Sequence, residues 1–188
     1  MSTSAAQSEA DLRLPSPGTW KTDPAHTSIE VIARHLMITK VRGKFSEFDG
    51  TFEIGRRPED TKISLTIQAA SIDTRDDKRD EHLRSPDFLD VEKFPTIEFV
   101  STEIEPAGDG WNVTGDLTIR GITVPIVIES AYLGVVTDPF GNDKAIFSGR
   151  TELNREAFGM TWNVALESGG VLVGHKLKVE LEVQATRI

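Results

Sequence analysis

The sequence contains no cysteine. Disulfides, thiol nucleophiles and Cys-based zinc sites are therefore excluded. It also lacks any run of about 20 apolar residues, the length a helix needs to span a bilayer. Basic residues are outnumbered: 21 Lys and Arg against 30 Asp and Glu leave a net charge of −9. No basic cluster along the chain offsets that balance, which argues against electrostatic binding to nucleic acid or anionic membranes. The P-loop, GxGxxG and GxSxG fingerprints of nucleotide-binding and hydrolytic sites are missing. The four histidines never take HxH or HxxxH spacing, so a metal site would need ligands from distant strands, and none is expected.

What is present is alternation. At 188 residues the chain suits one domain. Residues 1–18 are small, polar and proline-bearing, with no basic segment followed by an apolar one. They read as a disordered leader on a cytoplasmic protein, followed by a domain over 19–188. From Trp20 onward, apolar residues recur at every second position. Ile29, Val31, Ala33 and His35 share one face of a first strand; Phe48, Gly50, Phe52 and Ile54 share that of a second. Ile63–Ala69, Ile97–Phe99, Trp111–Ile119, Val124–Tyr132, Ala145–Leu153 and Leu177–Ala185 continue the pattern. About eight strands of this kind predict an all-β fold, an antiparallel sheet with one wet face. Closing it into a barrel would remove exposed edges. Two packed sheets satisfy the same pattern.

Helical signals are few. Met37–Val41 suits one turn between the first two strands, and Asp49-Gly50 suits a bend or bulge. Asp73–Leu83 is almost wholly charged and has no apolar stripe; Asp73 or Thr74 would cap it, and Asp76 would pair with Arg79. Ser85 would cap a second short helix, with Pro86 in its first position and Asp87 complementing its N-terminus. Pro95 then returns the chain to a strand. So ordered a crossing predicts a lid over one end of a barrel.

Several stretches together resemble one family. They are Trp20–His26 (WKTDPAH), His35-Leu36, Val41–Phe45 (VRGKF), Asp49-Gly50, Ser71–Thr74 and Arg79–Ser85. Asp87–Asp90, Phe94–Phe99 (FPTIEF), Gly115–Thr123 (GDLTIRGIT) and Arg155–Met160 follow in order, so the match runs from Trp20 to about Val183. The chain is similar to the YceI-like, polyisoprenoid-binding proteins. Many members are periplasmic, whereas this sequence shows no signal, and it reads Gly174-His175 where an acidic or polar residue is expected after the glycine. The resemblance implies an eight-stranded lipocalin-like barrel with a helical crossing, holding a polyprenyl lipid or quinone tail. It implies no cofactor besides that lipid, and it is compatible with a homodimer.

Small residues on the inward face, Ala33, Ala69, Gly115, Ser130, Gly149 and Ala185, would leave a tunnel or merely fit a packed taper. Pattern alone does not choose; the resemblance favours the tunnel. Its walls would include Ile29, Val31, Ala33, His35, Phe48, Phe52, Leu65, Ile67, Ala69, Phe99, Leu117, Ile128, Phe147, Gly149, Phe158 and Leu181. A five-carbon isoprene unit buried there contributes about 3–4 kcal/mol before ordering costs. An anionic head group would want cations or donors at the lid, for which Arg42, Arg79, His82 and Arg84 are candidates, with Lys40 and Lys44 nearby. His35 reads as a hydrogen-bonded core histidine, and His82 as a brace to Asp80 or a backbone carbonyl. Arg155 fits a turn, or a lid contact through a carboxylate. Binding, storage or transport, without catalysis, is the expected function. The alternatives are an enzyme using the His35, Arg79 and His82 region, and a ligand-free stress-response module.

Overall fold

The computed structural model describes residues 14–188. The expected leader lies outside the described residues up to residue 13. Leu14, the first residue described, already packs against the core, and Ser16 accepts a hydrogen bond from the Trp20 indole.

The described residues form β1 (Gly18–Thr22), β2 (Ser28–His35), β3 (Thr39–Phe45), β4 (Phe48–Ile54), β5 (Lys62–Gln68) and β6 (Ile72–Asp73). Helix α1 (Asp77–Arg84) follows, then β7 (Thr96–Ala107), β8 (Gly110–Ile119), β9 (Ile122–Thr137), β10 (Asp143–Asn154) and β11 (Val173–Arg187). All pairings are antiparallel, in the order β4–β5–β7–β8–β9–β10–β11, and β1 bonds to both β4 and β11. That double pairing closes the barrel. β2 continues β1 along the same partner, β11, and β3 runs on into β4. Each of these pairs occupies one wall position, so eight positions complete the ring, the barrel that the resemblance implies; alternation alone predicts about eight strands and does not choose between barrel and packed sheets.

The break between β1 and β2 explains the Asp23–His26 segment. Asp23 accepts hydrogen bonds from the Ala25 amide, the Lys144 ammonium and the Gln184 amide, and shares one of 3.0 Å with His26 Nδ1. Burial alone would raise the Asp23 carboxyl, but the bonds from His26, Lys144 and Ala25 outweigh it and hold the group below its ordinary value. At the far end of the barrel, β8 and β9 join through Arg120 and Gly121, both left-handed at φ 53° and 70°. A side chain on Gly121 would press on the Phe94 ring.

Several local expectations are corrected. Met37–Val41 is no helical turn: Leu36–Ile38 turns the chain and Thr39 already opens β3, a strand whose charged residues disguised it. Gly50 lies within β4, where its backbone exchanges hydrogen bonds with the Thr22 hydroxyl; the chain breaks instead at Ser46-Glu47. Ala69 leaves the sheet for a 3₁₀ turn. The crossing holds one helix, not two. Asp76 caps α1 by accepting from the Arg79 amide, so the cap contact replaces the expected ion pair. Ser85 ends α1, and its hydroxyl donates to the His82 carbonyl.

Burial is lopsided. Inward residues of β7 and β8, among them Ile97, Phe99, Ile104, Trp111, Val113, Leu117 and Ile119, are buried. On β2 and β9–β11 several inward residues, Val31, Ala33, Ile126, Ile128, Leu177, Val179 and Leu181, are only partly covered. Space is therefore left along one side of the interior. The Phe99 ring closes on Gly115, where an added Cβ would fall 2.4 Å from the ring and 2.6 Å from the Val100 carbonyl.

Two outcomes follow from this packing. Gly115→Ala should lower unfolding stability by roughly 1–3 kcal/mol in urea titration, because the clash includes backbone that cannot step aside. Asp23→Asn should cost about 1–2 kcal/mol at pH 7. A lowered folded pKa gives stability above the unfolded value of about 3.9 and loses it as pH falls through the folded one. The difference between wild type and Asp23→Asn should thus shrink in denaturation curves taken below about pH 4.

Candidate functional site

The unfilled side of the barrel is a cavity in two chambers. The larger has a volume of about 340 Å³ and reaches the lid; the smaller, about 100 Å³, lies toward Leu14, Phe52, Ile54 and Phe147. Ile29, Leu65, Phe99, Ile128 and Leu181 border both and form a waist between them. The larger chamber falls at the lower end of the about 300–1,000 Å³ typical of small-molecule sites.

Most of the expected wall residues line this space. Val31, Ala33, His35, Ile67 and Leu117 line the upper chamber with the waist residues; Phe52, Phe147 and Gly149 line the lower. Three do not. Phe48 is half-buried against the core, Ala69 is buried in its 3₁₀ turn, and Phe158 is buried beside a shallow outer hollow. His35 is half-exposed at the rim, and its ring makes no hydrogen bond among the described residues, contrary to the expected core histidine.

The lid is built from hydrogen bonds more than from apolar contact. α1 presents charge on nearly every side, so polar ties must hold it. The buried Asp80 carboxylate accepts from the Thr74 amide at 2.9 Å and its hydroxyl at 2.5 Å. Arg79 donates to the Thr74 hydroxyl and carbonyl, and Arg84 to the carbonyls of Ala70 and Ile72. Beyond the helix, Phe88 and Leu89 turn inward over the chamber, and Arg120 holds this turn through the carbonyls of Pro86 and Phe88. His82 reaches Asp87 at 2.8 Å, not Asp80, and stands edge-on to Phe88 and Trp162 with centroids 5.0 and 4.6 Å away. Asp87 thus serves His82 instead of a second helix.

Of the head-group candidates, Arg79 and His82 border the upper chamber. Arg42 does not: it points outward from β3 and pairs with Glu30 and Glu180. Arg84 is spent on the lid backbone. The residue that sequence reasoning undervalued is Arg155, 1% exposed. Its guanidinium meets no carboxylate among the described residues; it donates to the carbonyls of Met160, Trp162, Val173 and Gly174. Burial lowers its pKa, with Glu156 opposing the shift, yet a guanidinium keeps its charge in proteins.

The lining has an unusual charge pattern. In a chain with 30 acidic residues, the upper chamber is bordered by Arg34, Arg79, Arg155, His35, His82, Thr74 and Thr151, and by no carboxylate among the described residues. Everything else around it is apolar or glycine. Met160, Trp162, Leu172 and Val173 complete the roof; they come from irregular chain or its junction with β11, where no periodicity signals an inward side chain. Among the described residues no group of three His, Asp or Glu side chains is placed to hold a metal, and no helix is long and apolar enough to cross a membrane.

The comparisons with known proteins agree with this architecture. The family model described as a YceI-like domain matches residues 20–185. A UPF0312 protein of Pseudomonas paraeruginosa is 41% identical over 136 residues, which span 72% of this chain and 71% of that one. A YceI protein of Campylobacter jejuni superposes with a TM-score of 0.68 at 27% identity, over 82% of this chain and 90% of that one. A polyisoprenoid-binding domain from Saccharophagus degradans superposes with a TM-score of 0.64 over 90% of this chain and 98% of that one; at 10% identity this likeness is one of fold. Closed barrel, polar-tied lid and matched sequence agree: the chain belongs to the YceI-like family.

Proposed function

We propose that this protein binds a long-chain isoprenoid, a polyprenyl lipid or quinone tail, and stores or transports it without chemical change. The observation that carries this reading is the apolar two-chamber cavity, whose inward Val31, Ile128, Val179 and Leu181 are only partly covered by protein. Apolar surface left open inside a fold gains about 0.8 kcal/mol for each methylene that fills it. A branched hydrocarbon chain suits the narrow waist and needs no hydrogen bond along its length. The fold shared with the Saccharophagus degradans polyisoprenoid-binding domain supports the same ligand class.

The charge pattern supports a head group rich in acceptors at the lid. Arg79 uses Nε and one Nη on Thr74, and its other Nη has no protein partner among the described residues. A pyrophosphate or quinone oxygen would satisfy such donors. Binding is favoured over turnover because no carboxylate among the described residues lines the chamber, and the Thr74 hydroxyl that does line it is already engaged by Asp80 and Arg79.

The purified protein should release a prenyl lipid on organic extraction, and delipidated protein should take one up, both read by mass spectrometry. No lipid from either route would overturn the proposal. Ala33→Phe, which projects into the upper chamber between Val41 and Leu177, should weaken tail binding by about tenfold or more while the barrel stays folded. Arg79→Gln should weaken a prenyl pyrophosphate by about tenfold more than the matching prenyl alcohol, since for the pyrophosphate it removes a charge-assisted contact in addition to a lid tie. Competition titration of the two ligands reads the difference.

A further inference from the structure

The β2–β3 hairpin ends in three apolar residues where a polar turn would be expected. Leu36, Met37 and Ile38 are 45%, 50% and 78% exposed. Leu36 and Met37 also hold left-handed backbone, φ 51° and 64°, positions that hairpin turns usually give to Asn or Gly. Strain and exposure thus fall on the same residues. Beside them lies the loop from residue 163 to 171: the Leu36 amide donates to the Leu172 carbonyl, and a Cβ on Gly170 would touch Met37 at 3.2 Å. Val164, 46% exposed, is bonded to Leu172 through the backbone and adds to the same ridge. His35, Leu172 and Val173, immediately next to these residues, border the upper chamber.

The flanks of the hairpin carry the second observation. Arg34 and Lys40 face each other directly across β2 and β3, both exposed, with no ion pair among the described residues. Like charges opposed in this way repel. From Arg34 to Arg42 the hairpin holds no acidic residue, and Arg42 is already neutralised by Glu30 and Glu180. An apolar tip with free cations behind it matches a lipid surface: apolar groups enter the acyl boundary, and long basic side chains reach the head groups.

We propose that this ridge docks the barrel on a bilayer containing anionic lipid, with Leu36, Met37 and Ile38 inserted and Arg34 and Lys40 against the head groups. The chamber mouth then faces the membrane, and a tail dissolved there enters without crossing water. This rests on the reading of the chamber as a prenyl-tail site. The net charge of −9 opposes the approach of the whole molecule, so attachment is local to the hairpin. The opposite end of the barrel exposes Leu133, Val135, Val136 and Phe140, and is the internal control.

The test is flotation of the delipidated full chain with phosphatidylcholine vesicles, with and without phosphatidylglycerol. Wild type should float, more strongly with the anionic lipid. Met37→Ser combined with Ile38→Asp should lower the bound fraction by about tenfold. Lys40→Gln should weaken the preference for phosphatidylglycerol, and Phe140→Asp should change nothing. Circular dichroism confirms that each variant is folded. Failure of wild type to float, or loss of binding only in Phe140→Asp, would overturn the proposal. Uptake of a prenyl alcohol from detergent separates the two readings. If no protein takes up the alcohol, the chamber reading fails. If all take it up but the hairpin variants float like wild type, the docking reading fails.

Discussion

The five residues of β1 hold the interior together. Each strand of an open sheet can satisfy its backbone with two neighbours except at the edges, and an edge left bare invites pairing with another chain. β1 supplies both missing neighbours at once, bonding to β4 along one side and to β11 along the other. Its hold is reinforced by Trp20, buried against Phe52, Ile54, Ala145 and Ala185. Where β1 stops, Gln184 of β11 is bridged by Asp23 and Thr27, so the wall stays sealed through the interruption. Without closure, the partly uncovered Val31, Val179 and Leu181 would face water and not a chamber.

The two ends of the barrel are finished by different physics. The end near Trp20 is packed with aromatic side chains, including Phe52 and Phe147 stacked with ring centroids 5.3 Å apart. The lid end has little apolar surface to bury, because α1 is charged along its length. Directional bonds from Asp80, Arg79, Arg84 and Arg120 to nearby backbone and to Thr74 do the work that a greasy helix face would otherwise do. Such ties leave the roof of the chamber to a few inward residues, Leu83, Phe88 and Leu89, without filling it.

Period-two alternation made the barrel walls legible, because one face of every long strand meets the core or the chamber. β3 went unread although Val41, Gly43 and Phe45 alternate with Lys40, Arg42 and Lys44; the glycine and the dense charge masked a strand. The same alternation would have placed Arg42 outside. Phe48 and Ala69 were put on the chamber wall because a strand pattern says nothing about where the sheet bends or ends. The lid was legible as a crossing but not in its bonds: Ser85 and Pro86 have the chemistry of a helix start, yet Ser85 closes α1 by bonding back to the His82 carbonyl, and Pro86 lies just past it. Trp162 and Leu172 could not be read at all, since irregular chain carries no period. Arg155 stood in view as a lone charge, and only the fold reveals that its partners are carbonyls.

That choice of partners shapes how the roof can move. Met160, Trp162, Val173 and Gly174 come from both ends of one loop, and a single planar group clasps all four carbonyls. Asn163 adds a paired clasp on Val173 from the same side. A loop fastened along its length can unzip residue by residue. One also fastened at a common knot has its two ends held as a unit: lifting them strips a desolvated cation of several bonds together. Moving either end of the loop therefore costs bonds that the other end shares.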